Sequence, residues 1–151
     1  MEDDPTGYPA ALWKNFAEVG ITGLLVPESH GGAGASLLDA AIVYEELGRS
    51  LAPSPHFASA VIGAGVLLAA GSDAQQQAWL PKIASGDAIL APAWLEPDGG
   101  FGPKGVRCEA KADGDAFVLT GAKRHVPFAS AATRLVVLAR TGAAPTDVSL
   151  F

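Results

Sequence analysis

Ala91-Pro92-Ala93-Trp94-Leu95-Glu96-Pro97-Asp98-Gly99-Gly100-Phe101-Gly102-Pro103-Lys104-Gly105 divides the sequence into two patterns. Before this stretch, apolar residues recur at helical spacing. After it, they alternate as they do in strands. Its prolines and glycines interrupt regular structure, and Trp94 supplies a large flat side chain. A seam of this kind between two architectures suits a flat ligand.

Upstream, Leu12, Trp13, Phe16 and Val19 share one helical face behind Pro9, with Gly20 as the stop. Ile21 to Val26 is a short apolar connection into the tight loop Gly31-Gly32-Ala33-Gly34. Ser36 caps a second helix, with Asp39 three residues on as a capping box. Leu37, Leu38, Ala41, Ile42 and Leu47 form its apolar set, and Gly48 ends it. Ser54-Pro55 opens a third helix, which continues to Gly71. Its run from Phe57 to Ala70 is too short to span a bilayer and reads as a buried core helix. Asp73 caps a fourth, which Pro81 ends or bends.

Downstream, Ile89 to Trp94 is a candidate buried strand. Val106, Cys108, Ala110 and Ala112 alternate with Arg107, Glu109, Lys111 and Asp113, the pattern of a half-buried strand. Asp113-Gly114-Asp115 is a hairpin turn into a strand over Ala116 to Thr120. Gly121-Ala122-Lys123 turns again, Leu135 to Arg140 is a further strand, and Val148 begins another. An apolar strand at the terminus calls for a covering element, in the same sheet, in a longer chain or in a partner.

The chain has 151 residues, 49% apolar and 17% charged, enough to bury a core. Its net charge is −6 and no Lys/Arg stripe occurs, which argues against nucleic acid as a partner. Cys108 is the sole cysteine, so no internal disulfide forms, in keeping with a reducing, cytoplasmic setting. The acidic start, Met1-Glu2-Asp3-Asp4-Pro5, does not read as a signal peptide, and no segment reads as a membrane span.

Other constellations favour plain structural roles. His30, His56 and His125 lie far apart without metal-ligand spacing. The loop at 31–34 lacks the Lys-Ser/Thr of a phosphate loop, and the Gly100 to Gly105 loop shares that weakness. Ser29 and Ser36 lie near His30, but no carboxylate completes a nucleophilic arrangement. Glu45 and Glu46 are adjacent on a helix and point about 100° apart, so they form no catalytic pair.

Taken in order, these segments resemble the N-terminal half of an acyl-CoA dehydrogenase. Gly23-Leu24-Leu25-Val26-Pro27-Glu28 with Gly31-Gly32-Ala33-Gly34 is similar to the family's first loop. Tyr44-Glu45-Glu46-Leu47-Gly48 is similar to its Glu-Glu-Leu-Gly helix. Gly71-Ser72-Asp73, Trp79-Leu80-Pro81 and Ala84-Ser85-Gly86 resemble the exit from its helical domain. Glu96-Pro97, Gly105, Ala110, Asp113-Gly114, Leu119, Gly121, Lys123 and Leu138-Ala139-Arg140 follow at family spacing.

The resemblance implies an α+β protein. An N-terminal all-α helical domain over 1–88 would be followed by an incomplete antiparallel β-barrel domain over 89–151. It also implies FAD, an acyl-CoA substrate and a homo-oligomer or a heteromer with a related subunit. The implied activity is α,β-dehydrogenation, in which a carboxylate removes the α-proton and a hydride leaves the β-carbon for the flavin. That base belongs to the family's C-terminal domain, so no residue here is assigned to it, and this chain alone is expected to be inactive.

Two segments of the middle domain contact flavin in the family. Carried over by position, they place cofactor contacts at Ala93, Leu95, Gly100, His125, Val126 and Pro127, and a substrate contact at Phe101. In the first segment, Leu95 stands at a threonine position, Phe101 at a serine and Gly102 at an aspartate. In the second, His125-Val126-Pro127-Phe128 stands where Trp-Ile-Thr-Asn is usual. The family's hydroxyl donors are therefore absent. A reading from a different class is an assembly subunit without its own cofactor, suited by the apolar last strand and the Ala/Gly-rich third helix.

Overall fold

The computed structural model describes residues 5–100 and 102–151. The described residues form two compact units, one from 5–91 with 128–134, the other from 92–100 and 102–127 with 135–151.

In the helical unit, α1 (Ala10–Glu18) follows Pro9 at its N-cap and buries Trp13 and Phe16. These two pack with Tyr8 and Ile89, and Leu12, Ile21, Leu47, Phe128 and Ala131 close around them. Tyr8 sets its ring edge-on to Trp13 and to Phe128. The Trp13 indole N–H donates to the Gly86 carbonyl at 2.9 Å, so its one polar atom is satisfied inside the cluster. In the turn after α1, Val26 and Thr22 are wholly buried, and the Thr22 hydroxyl donates to the Ala84 carbonyl at 2.7 Å. Gly32 has no room for a side chain, since a Cβ would lie 2.1 Å from the Val26 carbonyl oxygen.

Helix α2 (Leu37–Arg49) carries the complete Ser36/Asp39 capping box. It passes Gly48 by one residue. Its apolar members do not all point inward: Ala40 is the buried one, while Leu37, Leu38 and Ile42 are exposed. Spacing identifies an apolar face but not what covers it. Glu45 and Glu46 both project into solvent and both pair with Arg49, at 2.7 and 2.8 Å.

The third helix begins as a π-helix over Phe57–Gly63 and becomes α3 (Ala64–Ala70) only afterwards. Its small residues Ala58, Ser59, Ala60 and Gly63 are buried, whereas Phe57 is exposed. The Ser59 hydroxyl donates to the Ala88 carbonyl and accepts the Leu90 N–H at 3.0 Å. Gly63 passes so close to Leu90 that an added Cβ would meet the Leu90 Cβ at 2.8 Å. These contacts with residues 88–90 accompany the wider π register, which periodicity alone does not reveal.

Helix α4 (Asp73–Ala84) is capped by Ser72 rather than Asp73. Ser72 accepts the Gln75 N–H, and the Gln75 side chain accepts the Ser72 N–H at 2.9 Å. Pro81 does not end the helix. Leu80 and Ile83 on either side are wholly buried, and their burial holds the last turn despite the missing N–H. Replacing Ser72 by Ala should therefore cost about 1 kcal/mol. Asp73→Asn should cost clearly less, because Asp73 holds no cap bond. Thermal melts of the two variants check the assignment. Equal losses would argue against it. Among the described residues, no helix is long and apolar enough to cross a membrane.

The strands are β1 (Leu90–Ala93), β2 (Glu109–Asp113), β3 (Ala116–Thr120), β4 (Arg134–Arg140) and β5 (Val148–Leu150), of which β2, β3 and β5 lie wholly in the second unit. The order is β1-β4-β2-β3, with β5 paired to β4. β2 and β3 form the expected hairpin, with Asp113 opposite Ala116 and Gly114 at φ 60°. The antiparallel expectation does not hold throughout. β2 and β4 run parallel through Glu109 and Arg140, so the sheet is mixed, and it is open rather than closed into a barrel. Strand alternation reports faces, not the direction of a partner far along the chain. β5 lies antiparallel to β4, with Leu150 opposite Leu138. Cys108, Ala110 and Ala139 form this unit's core, flanked by Val137 and Phe151.

Candidate functional site

The site is built around Glu96, in the second unit. Its side chain is 6% exposed and its carboxylate is fully engaged. One oxygen accepts the Arg107 N–H at 2.9 Å. The other accepts the Cys108 N–H at 3.0 Å and the Lys123 ammonium at 2.7 Å. Burial pushes the Glu96 carboxyl upward, but Lys123 and the two backbone donors outweigh it and hold it below the usual carboxylate range. A buried carboxylate without such partners would be costly. Here it ties the loop after β1 to the entry of β2 and to the turn after β3.

Two further contacts complete the frame. The Arg124 N–H donates to the Leu95 carbonyl at 2.9 Å, which joins the two candidate cofactor segments. Gly105 lies against Gly100 so closely that a Cβ at 105 would meet the Gly100 carbonyl oxygen at 2.1 Å. The loop from 96 to 105 therefore closes on itself at a position open only to glycine.

Ala93 is buried within β1. Leu95 is half-buried beside Arg124, and Gly100 is exposed at the loop. His125 and Pro127 are exposed, and Val126 is half-buried between them. His125 adopts φ 51°, a left-handed conformation uncommon outside glycine, which Asn, Asp and His adopt more often than other side chains. Such backbone costs about 1–3 kcal/mol, and it persists where the surroundings fix it. Following it, Val126-Pro127 is restrained toward extended backbone. The Leu95–Arg124 bond thus brings Leu95 next to the 125–127 turn. Phe101 lies outside the described residues. Sequence reasoning recognised Glu96 and Lys123 as separate motif positions, but not as one buried ion pair, because 27 positions separate them.

In the helical unit, His56 is 1% exposed. Its Nε2 faces the Ile21 carbonyl at 2.8 Å and its Nδ1 faces the Tyr44 hydroxyl at 2.7 Å. A carbonyl only accepts, so Nε2 carries the proton, and Nδ1 accepts from Tyr44. Burial lowers the His56 pKa against the raising effect of the Ile21 carbonyl, and burial pushes the Tyr44 hydroxyl up to about 12. The pair is a neutral structural bridge. No group of three or more His, Cys, Asp or Glu side chains is arranged for a metal among the described residues.

The N-terminal domain model of acyl-CoA dehydrogenases matches residues 1–87. A (2S)-methylsuccinyl-CoA dehydrogenase of Cereibacter sphaeroides is 36% identical over 140 residues, covering 92% of this chain and 26% of that protein. The human mitochondrial short-chain specific acyl-CoA dehydrogenase is 37% identical over 136 residues, covering 89% of this chain and 33% of its own length. An acyl-CoA dehydrogenase from Geobacillus kaustophilus superposes with a TM-score of 0.85 at 27% identity, over 96% of this chain and 40% of that one. The ChsE4-ChsE5 complex from Mycobacterium tuberculosis gives a TM-score of 0.83 at 28% identity, over 93% of this chain and 37% of the other. The fold and the matched sequence define an α+β protein of dehydrogenase type. The chain belongs to the acyl-CoA dehydrogenase family. It spans between about a quarter and two-fifths of the length of these relatives.

Proposed function

We propose that this chain is part of, or a divergent subunit of, a flavoprotein that dehydrogenates an acyl-CoA thioester between its α and β carbons. The observation that carries the reading is the Arg124–Leu95 hydrogen bond, which sets the two candidate flavin segments side by side. The segments fit FAD through their main chain. Among the described residues, nothing accepts the N–H of Leu95 or of Val126, and such donors suit a polar ring edge. The side chains of Leu95 and Pro127 add no donor, and His125 offers a ring able to stack or donate. Ala93, Gly100 and Val126 contribute backbone and shape. Bound there, FAD would supply the acceptor for the hydride. The chain's own part is to hold that surface rigid, through Glu96 and Gly105. No residue here is assigned the α-proton, and the acyl group stays unspecified.

An assembly subunit without a cofactor is favoured by one specific observation, the exposed Leu37, Leu38 and Ile42 on α2. Flavin binding separates the two readings. The purified chain, alone and co-expressed with any co-encoded related subunit, is examined for a protein-bound visible flavin band. Restoring a hydroxyl by Leu95→Thr should tighten FAD about tenfold, the equivalent of one added hydrogen bond to the ring. A band in either preparation supports the flavoprotein. Its absence from both, with Leu95→Thr also failing to bind added FAD, overturns it in favour of the assembly subunit.

A further inference from the structure

A cleft in the second unit, lined by none of the candidate cofactor residues, concentrates positive charge in an acidic protein. It is an open cleft of about 430 Å³ lined by Lys104, Arg107, Arg140 and Glu109, with Val106, Ala143 and Pro145 as apolar walls. Arg140 is pre-set. Its Nε donates to the Val106 carbonyl at 2.8 Å, and its two terminal nitrogens donate to the carbonyls of Ala144 and Pro103, at 2.7 and 2.6 Å. A guanidinium has five N–H groups, so each terminal nitrogen keeps one to offer.

None of the three cations has a carboxylate within 4.0 Å among the described residues. Glu109 lines the cleft, but its charge is met by Lys111 at 3.1 Å. Asp147 is turned to the Ala144 N–H at 2.9 Å, within its own loop. Three cations held close without counter-charge repel one another, and an anion in the cleft removes that repulsion. Two arginines and a lysine match the oxygens of a phosphate, which a guanidinium can bind through paired donors.

We propose that this cleft binds the phosphate or diphosphate group of an organic phosphate. The proposal does not depend on flavin binding, so either reading can fail alone. Amide shifts of the isotope-labelled full chain are followed at low salt during titration with coenzyme A, ADP, pantetheine and inorganic pyrophosphate. Coenzyme A or ADP should shift the amides of Lys104, Arg107 and Ala143, while pantetheine, which carries no phosphate, should leave them in place. The choice between the first two identifies whether the phosphate comes from a thioester carrier or another nucleotide. The double variant K104E/R107E should bind at least tenfold more weakly, with its β2 and β3 amides unmoved as proof of folding. K14E, on α1, should bind as the parent does. Failure of both organic phosphates to shift the cleft, binding of pyrophosphate alone, or equal binding by K104E/R107E would overturn the proposal.

Discussion

Glu96→Ala should destabilise the chain by about 3–5 kcal/mol, the range for breaking a buried ion pair from one side. The variant would leave the Lys123 ammonium, on a side chain 9% exposed, without its carboxylate. It would also strip the Arg107 and Cys108 N–H groups of their acceptor. Glu96→Gln should be no benign replacement, because its amide nitrogen would turn a donor toward one of three donors. Removing both charges with Glu96→Leu and Lys123→Met should cost less than the two single changes combined, since no unpaired charge remains. Urea unfolding of the parent, of Glu96→Leu and Lys123→Met singly, and of the double variant measures this coupling. A Glu96→Ala loss within 1 kcal/mol of the parent would refute the central place given to this residue.

Acid should reproduce part of the effect. The folded Glu96 carboxyl lies below its ordinary 4.5, so its contribution is complete above that value and is lost as pH falls through the folded pKa. Loss of the pair should loosen the loop from 96 to 105 and the Leu95–Arg124 junction. In the flavoprotein proposed above, FAD affinity should therefore fall in Glu96→Ala, with the helical unit still folded.

Features written in neighbouring residues were the readable ones. Pro9 before Trp13 and Phe16, Ser36 with Asp39, and Gly114 in its hairpin each act within one turn of chain. The cap of α4 was misplaced by one residue, because Ser72 and Asp73 are both good caps and only the Gln75 bond decides between them. What escaped reading depends on distant partners. The parallel contact of β2 with β4, the π register at Phe57–Gly63 and the Glu96–Lys123 pair each answer to residues far along the chain. The candidate site was legible only as a family pattern in the 91–105 and 125–128 stretches, with its departures at Leu95 and Pro127 visible in the sequence. The Arg140 clamp was not, since an arginine at a strand end reads as a solvated charge until its three carbonyl acceptors are seen.

His56→Leu should be the second large loss, at about 3 kcal/mol, because it leaves the Ile21 carbonyl and the Tyr44 hydroxyl without partners in the interior, each omission costing about 1–3 kcal/mol. Tyr44→Phe removes only one of those bonds and should cost less than half as much. The bridge also sets a pH window distinct from that of Glu96. Protonating Nδ1 would place a proton against the Tyr44 O–H and bury a charge. Burial accordingly holds the folded His56 below its ordinary 6.5. The unfolded chain takes up this proton first, so stability must decline as pH falls below 6.5 and level off once pH passes the folded pKa. In His56→Leu that slope should vanish while the later acid loss from Glu96 persists. Urea midpoints from pH 8 to 5 read the slope, and the His56 ring-proton shift reads its titration directly. A folded His56 that titrates at or above 6.5 would mean that burial does not hold the ring neutral and that the neutral bridge is wrong.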